Sequence, residues 1–144
     1  MREAARALNV AVLHEDVNKP EHIARALDRL VRERSTGVIT PLSPLLNQES
    51  KQITHMTLQR RLASVSGFCD YVRFGGLRSY GQNLATHYHR TAAYVDKIFK
   101  GAKPGDLPIE QPTTLETALN RSTAVALGIS IPTSLLIRAD FVTG

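Results

Sequence analysis

Three histidines stand out first, as His55 and the pair His87-Tyr88-His89. On a helix, residues i and i+2 point about 200° apart, so that pair cannot share one metal ion. Both are read as surface histidines, and no metal is expected. The single cysteine, Cys69, excludes an internal disulfide framework and any CxxC metal site. It is read as a buried or incidental thiol. Ser43, Ser64 and Ser79 lie near predicted strand ends, yet no G-x-S-x-G surrounds any of them, which speaks against a hydrolase nucleophile. Gly75-Gly76 has no following Gly-Lys-Ser/Thr and no spaced third glycine, so no phosphate-cradling loop is expected. With no convergent catalytic group, the chain is read as neither an enzyme nor a cofactor carrier.

The elements that would hold such residues belong to one domain, since 144 residues sit at the usual domain size. The chain is 42% hydrophobic and 22% charged, which excludes disordered, collagen-like and coiled-coil compositions. The longest uncharged run, Ser122 to Ile137, is broken by Gly128 and Pro132, whereas a membrane span needs about 20 mostly apolar residues. The opening MREAARALNV lacks a continuous apolar core and a cleavage site, so no signal peptide is read there.

The net charge of +5 invites a nucleic-acid reading, but the cations are spread along the chain with no basic tail. The tight group Arg29 to Arg34 is interleaved with Glu33 and reads as a solvated helix face. A helix-turn-helix regulator is the alternative function, suggested by Thr123 to Leu127, Gly128 and then Pro132 to Ala139. A recognition helix must offer polar side chains to base edges, and Pro132-Thr133-Ser134-Leu135-Leu136-Ile137 is largely apolar. No nucleic-acid partner is expected.

Short apolar runs alternate with amphipathic ones. Residues 8–13 (LNVAVL) read as a buried strand, and Asn18-Lys19-Pro20-Glu21 as a helix start that Asn18 caps. That helix runs to about Arg34, with Ile23, Leu27, Leu30 and Val31 on one face. Thr36–Thr40 reads as a strand, Asn47 to Arg61 as a polar helix, and Leu62–Val65 as a third strand. This alternation implies parallel pairing, because a parallel crossover needs a helix. Further on, Leu77–Tyr80 reads as a strand and residues 82–100 as the strongest helix. Its apolar stripe is Leu84, Tyr88, Val95, Ile98 and Phe99. Leu115–Asn120 reads as a strand, Ser122–Leu127 as a helix closed by Gly128, and Pro132–Ala139 as a last turn or two. The expected class is α/β, a three-layer sandwich with a mostly parallel sheet. Residues 1–81 would form the α/β unit, and residues 82–144 a crossover helix, linker and closing segment of the same fold.

The stretch Gly75-Gly76-Leu77-Arg78-Ser79-Tyr80-Gly81 and then AAYVDKIFKGAKPGDLPIEQPT over residues 92–113 resemble a specific family. The series continues through Thr123-Ala124, Ala126-Leu127-Gly128, Ile131-Pro132 and Leu135-Leu136. It is similar to the substrate-binding proteins of ABC transporters of the tryptophan/uncharacterised-solute type, with a type I periplasmic-binding-protein fold. Arg78 stands where the family has an apolar residue. The resemblance implies a bilobed, extracytoplasmic receptor that closes on a small organic solute, amino-acid-like solutes among them, and delivers it to an ABC permease. Members of the family are longer, so the resemblance implies that this chain corresponds to the C-terminal half of one. It also implies that the 82–100 helix packs on the first lobe. Self-association through 82–100 is therefore expected of the chain alone.

Ligands of open parallel sheets bind outside the carboxyl ends of the strands. Those ends are Thr40 to Ser43, Gly67 to Tyr71, and Ser79-Tyr80, the last placed near the hinge by the resemblance. Tyr71 and Tyr80 are expected to stack on or hydrogen-bond a solute, and Asp70 to pair an amine. Thr40, Ser43 and Ser79 complete the expected ligand-binding set.

Overall fold

The computed structural model describes residues 2–82, 84–109 and 115–144, with the side chains of residues 2 and 84–87 outside the description. The elements are α1 (Arg2–Ala7), α2 (His22–Arg32), β1 (Gly37–Thr40), α3 (Pro44–Gln48), α4 (Ser50–Gln59), β2 (Ala63–Phe68) and β3 (Arg78–Gln82). They continue with α5 (Leu84–Phe99), β4 (Glu116–Asn120), α6 (Arg121–Leu127), α7 (Thr133–Ile137) and β5 (Phe141–Thr143). A 3-10 segment, Cys69–Phe74, links β2 to β3.

The five strands form one sheet in the order β1-β2-β3-β4-β5. Pairing is parallel between β1 and β2, between β2 and β3, and between β4 and β5. β3 and β4 run antiparallel. The class is α/β with a mostly parallel sheet. β4 and β5 come from the second half of the sequence and extend the same sheet.

The hydrophobic core gathers Ile23, Leu27 and Leu30 from α2, Ile53 from α4, Leu62 and Tyr71. The apolar face expected of α2 is the buried one, except that Val31 is exposed. Arg60 joins α4 to α2 through Asp28, with Nε 2.8 Å and an amino nitrogen 2.7 Å from the carboxylate. An ion pair this open to water adds little stability.

Four expectations change. Residues 8–13 join no sheet: Leu8 and Asn9 turn off the end of α1, Val10 N donating to Ala5 O at 2.9 Å, and Leu8, Val10, Val12 and Leu13 are exposed. The helix expected over 47–61 is two helices that meet at Glu49. Asn18 does not cap α2, whose N-cap is Glu21 without a side-chain bond. The chain ends in a strand, β5, that three residues after Asp140 gave no periodicity to signal. α4 also inverts its polar look: Ser50, Thr54 and Thr57 are all buried with Ile53. Their hydroxyls return to backbone carbonyls, Thr54 Oγ1 donating to Phe74 O at 2.5 Å and Thr57 Oγ1 to Thr54 O at 3.0 Å. A hydroxyl so satisfied can sit in a core without a desolvation penalty.

Candidate functional site

At the carboxyl ends of the parallel strands, Thr40 to Ser43 lies beside Phe68 to Asp70 and the end of β3 at Gln82. The antiparallel turn of β4 brings Glu116 to the same end, opposite Gly81. Asp140 joins them, its carboxylate accepting from Thr117 N at 2.8 Å. Sequence reasoning missed Glu116 and Asp140. Glu116 opens a strand with nothing to mark its end of the sheet, and Asp140 precedes a strand that was not expected.

The six expected contact residues divide by depth. Thr40 is buried, its hydroxyl donating to Val65 O at 3.3 Å. Ser79 is fully buried and donates to Cys69 O at 3.2 Å. Tyr71 is 1% exposed and belongs to the core cluster. All three side chains are thus buried in this structure, two of them bonded to backbone carbonyls and the third in the core. Tyr71 fills the space beneath the strand ends, and Thr40 and Ser79 fasten the loops that start there. For Ser79 and Tyr80 the signal is alternation, since successive strand residues face opposite sides of a sheet, whereas Tyr71 lies in the 3-10 segment outside any strand. Ser79 therefore points inward and Tyr80 outward, and Tyr80 is 52% exposed.

Asp70 is exposed and pairs with Arg73 at 3.1 Å. The Arg73 guanidinium lies over the Phe141 ring, 4.7 Å from its centroid, which ties the 3-10 segment to the start of β5. Ser43 precedes α3 in extended conformation and is half-buried. Cys69 donates through Sγ to Gly81 O at 3.5 Å and Gln82 O at 3.4 Å. Burial pushes its thiol up to about 11, and the negative charges of Glu116, Asp70 and Asp140 add to that. A thiol held so far above neutral pH is a poor nucleophile. The Glu116, Asp70 and Asp140 carboxylates thus gather near Cys69 at this end of the sheet.

Among the described residues, no group of three His, Cys, Asp or Glu side chains is placed to hold a metal. His89 and His55 are exposed, and the side chain of His87 lies outside the description. The helix-turn-helix candidate forms two short helices around Gly128, but α7 is five residues long and reads TSLLI. Its polar side chains are the short Thr133 and Ser134 alone, followed by three apolar residues, which is little for reading base edges.

A sequence model of the family described as ABC transporter substrate binding protein matches residues 1–143. No curated relative matches the chain. A solved conserved domain protein from Vibrio cholerae O1 biovar El Tor is 21% identical, with a TM-score of 0.89 over 99% of this chain and 48% of its own. The ABC domain in complex with L-Trp from Streptococcus pneumonia is 22% identical, with a TM-score of 0.85 over 97% of this chain and 48% of its own. A ligand-free, open substrate binding protein with adhesive properties from Clostridium difficile is 17% identical, with a TM-score of 0.66 over 99% of this chain and 47% of its own. The chain spans about half the length of these solved structures.

Proposed function

The chain belongs to the ABC transporter substrate binding protein family, and from that premise we propose that it forms one wall of a solute receptor serving a membrane permease. The observation that carries this reading is the family match over residues 1–143. Binding and release would be its whole chemistry, with no catalytic step and no cofactor. We place its work outside the cytoplasm, as in the family. No helix among the described residues is long and apolar enough to cross a membrane.

The solute would meet the carboxyl ends of the strands. Tyr80 offers a half-open ring for stacking, Asp70 a carboxylate and Ser43 a hydroxyl, while Thr40, Tyr71 and Ser79 hold these loops from within. The carboxylates of Asp70, Glu116 and Asp140, gathered at this end of the sheet, favour a solute carrying an ammonium group, an amino acid among them. The structural neighbour whose complex holds L-Trp supports that class.

One wall leaves most of a solute's surface wet, so binding by this chain alone should saturate only above about 1 mM. Titration with L-tryptophan and other amino acids, followed by amide chemical shifts, should move residues 40–43, 69–71 and 80–82. Shifts confined to another face would remove the proposed site. Micromolar affinity would show that one wall suffices.

α5 carries the remaining part of the proposal. Tyr88, Val95, Ile98 and Phe99 are all exposed, Phe99 at 86%, while a helix in water normally buries such a stripe. Leu84 falls outside the described side chains. We assign this stripe to docking against the opposing wall of the receptor, and in its absence against another copy. Light scattering on the 144-residue chain should show concentration-dependent association that falls sharply in the Val95→Asp/Phe99→Asp variant. An unchanged molar mass in that variant would mean that α5 is not the docking element.

A further inference from the structure

The end of the sheet opposite the candidate site is basic, and the fold gathers what the sequence keeps apart. α2 and α4 run down to the amino ends of β1 and β2, which pair in parallel. Both helices finish in the same turn. Arg34 N donates to Val31 O and Ser35 N to Leu30 O; Arg61 N donates to Leu58 O and Leu62 N to Thr57 O. These are the paired bonds of a Schellman motif. The two turns stand side by side, since Ala63 N donates to Thr36 O at 3.1 Å just beyond them. Arginine holds the left-handed position in both, with φ of 60° at Arg34 and 54° at Arg61.

Glycine or asparagine takes that conformation with less strain. A helix dipole favours a cation in the last turn, but in α2 Arg29 and Arg32 already supply it. Arg25, Arg29 and Arg32 form a stripe along the exposed side of α2, opposite Ile23, Leu27 and Leu30 in the core. Acidic side chains offset part of this charge. Asp28 takes Arg60, and Glu15 takes Arg29 at 3.1 Å. Among the described residues, Arg25, Arg32, Arg34 and Arg61 are exposed and have no ion-pair partner. Glu33, also exposed, offsets one of these four charges.

We propose that this basic end docks on the anionic phospholipid headgroups of a membrane leaflet. A phosphodiester group offers the negative charge and the acceptor oxygens that a guanidinium fork matches. A leaflet is the anion this chain would meet beside a membrane permease, so the choice of occupant rests on the receptor role proposed above. Asp70, Glu116 and Asp140 lie at the other end of the sheet, and docking leaves the candidate site uncovered.

Sedimentation of the 144-residue chain with lipid vesicles tests this, using phosphatidylcholine alone and phosphatidylcholine with an equal part of phosphatidylglycerol. The apolar stripe of α5 would meet both kinds of vesicle alike, so the difference between them isolates charge. Binding should need the phosphatidylglycerol and vanish as salt rises from about 0.05 M to about 0.5 M. Arg34→Asn/Arg61→Asn removes two charges where asparagine relieves backbone strain. It should melt no lower than the parent and bind anionic vesicles about 25-fold more weakly, near fivefold per charge. Arg25→Gln/Arg32→Gln, on an exposed helix face, should weaken binding by a similar factor, and Arg34→Lys/Arg61→Lys should keep it within about threefold. Equal binding to both kinds of vesicle, or full binding by both neutral variants, would overturn the docking surface. Tighter retention on a DNA duplex than on the anionic vesicles would also overturn it and assign the arginines to nucleic acid. The L-tryptophan titration should be the same in Arg34→Asn/Arg61→Asn as in the parent. A failed vesicle test with that titration intact would remove this surface and leave the receptor reading in place.

Discussion

Gly81→Ala is expected to lower the melting temperature by about 10 °C or more, or to leave the chain unfolded. β2 carries an irregularity between Ser66 and Phe68, where its register against β3 shifts. Gly67 sits in that irregularity and turns its carbonyl toward Gly81. A methyl group built on Gly81 would overlap the Gly67 carbonyl oxygen and stand 2.6 Å from the carbonyl carbon. The obstacle is backbone, so no rotamer change relieves it. The strands would have to separate there, and the Ser66–Ser79 and Phe68–Gln82 pairs flank the place. Cys69 would also lose its bonds to Gly81 O and Gln82 O. Overpacking usually costs about 1–3 kcal/mol, and an obstruction between two backbones belongs at or beyond the top of that range. Circular dichroism melts of Gly81→Ala and of Gly105→Ala, whose added methyl meets nothing within 4 Å, provide the comparison. A shift under about 2 °C for Gly81→Ala would mean that β2 and β3 adjust freely at this point.

The elements that bury an amphipathic face were legible in the sequence. The spacing of Ile23, Leu27 and Leu30 gives α2 its period, and those three side chains are in the core. Gly128 was readable as a helix end and adopts the left-handed conformation there. What escaped was decided by partners distant in sequence. Residues 8–13 have the composition of a strand, but a strand exists only through a neighbour that accepts its hydrogen bonds. β5 is three residues long and is held by pairing with β4 and by Asp140, whose backbone N–H donates to Thr117 O at 2.9 Å. The polar sequence of α4 hid a buried face because its serine and threonine hydroxyls bond to carbonyls within reach. For the candidate site, chain order named the strand ends, while depth had to come from the alternation of side chains. Tyr71 and Tyr80 look equivalent as letters, yet one lies in the core and the other is half in water.

Tyr71 carries the second large effect, and Gly76 shares it. The ring is buried in the core cluster, and a methyl group on Gly76 would overlap its edge carbons. Tyr71→Ala should cost about 3–5 kcal/mol, the range for emptying an aromatic site. Tyr71→Phe should cost no more than about 1 kcal/mol, because the phenol oxygen, buried beside the Ser64, Thr40 and Thr57 hydroxyls, makes no hydrogen bond of good geometry with them and the ring is kept. The two substitutions also separate at high pH. Burial holds the phenol above its ordinary value of 10.0, so the folded state keeps a proton that the unfolded chain gives up. Stability from this group is present below pH 10 and is lost as pH rises through the folded value, and Tyr71→Phe should flatten that decline. Gly76 is not in the left-handed region, so alanine there meets no backbone penalty and its cost is the overlap with Tyr71 alone. Gly76→Ala should therefore destabilise by about 2 kcal/mol in the presence of the ring. With Tyr71→Ala already in place, the same methyl enters vacated space, and the double variant should be more stable than the two separate costs predict by more than about 1 kcal/mol. Urea unfolding of the four proteins measures this coupling. Additive costs would mean that the ring and Gly76 do not press on one another, and that the close glycine serves some other contact.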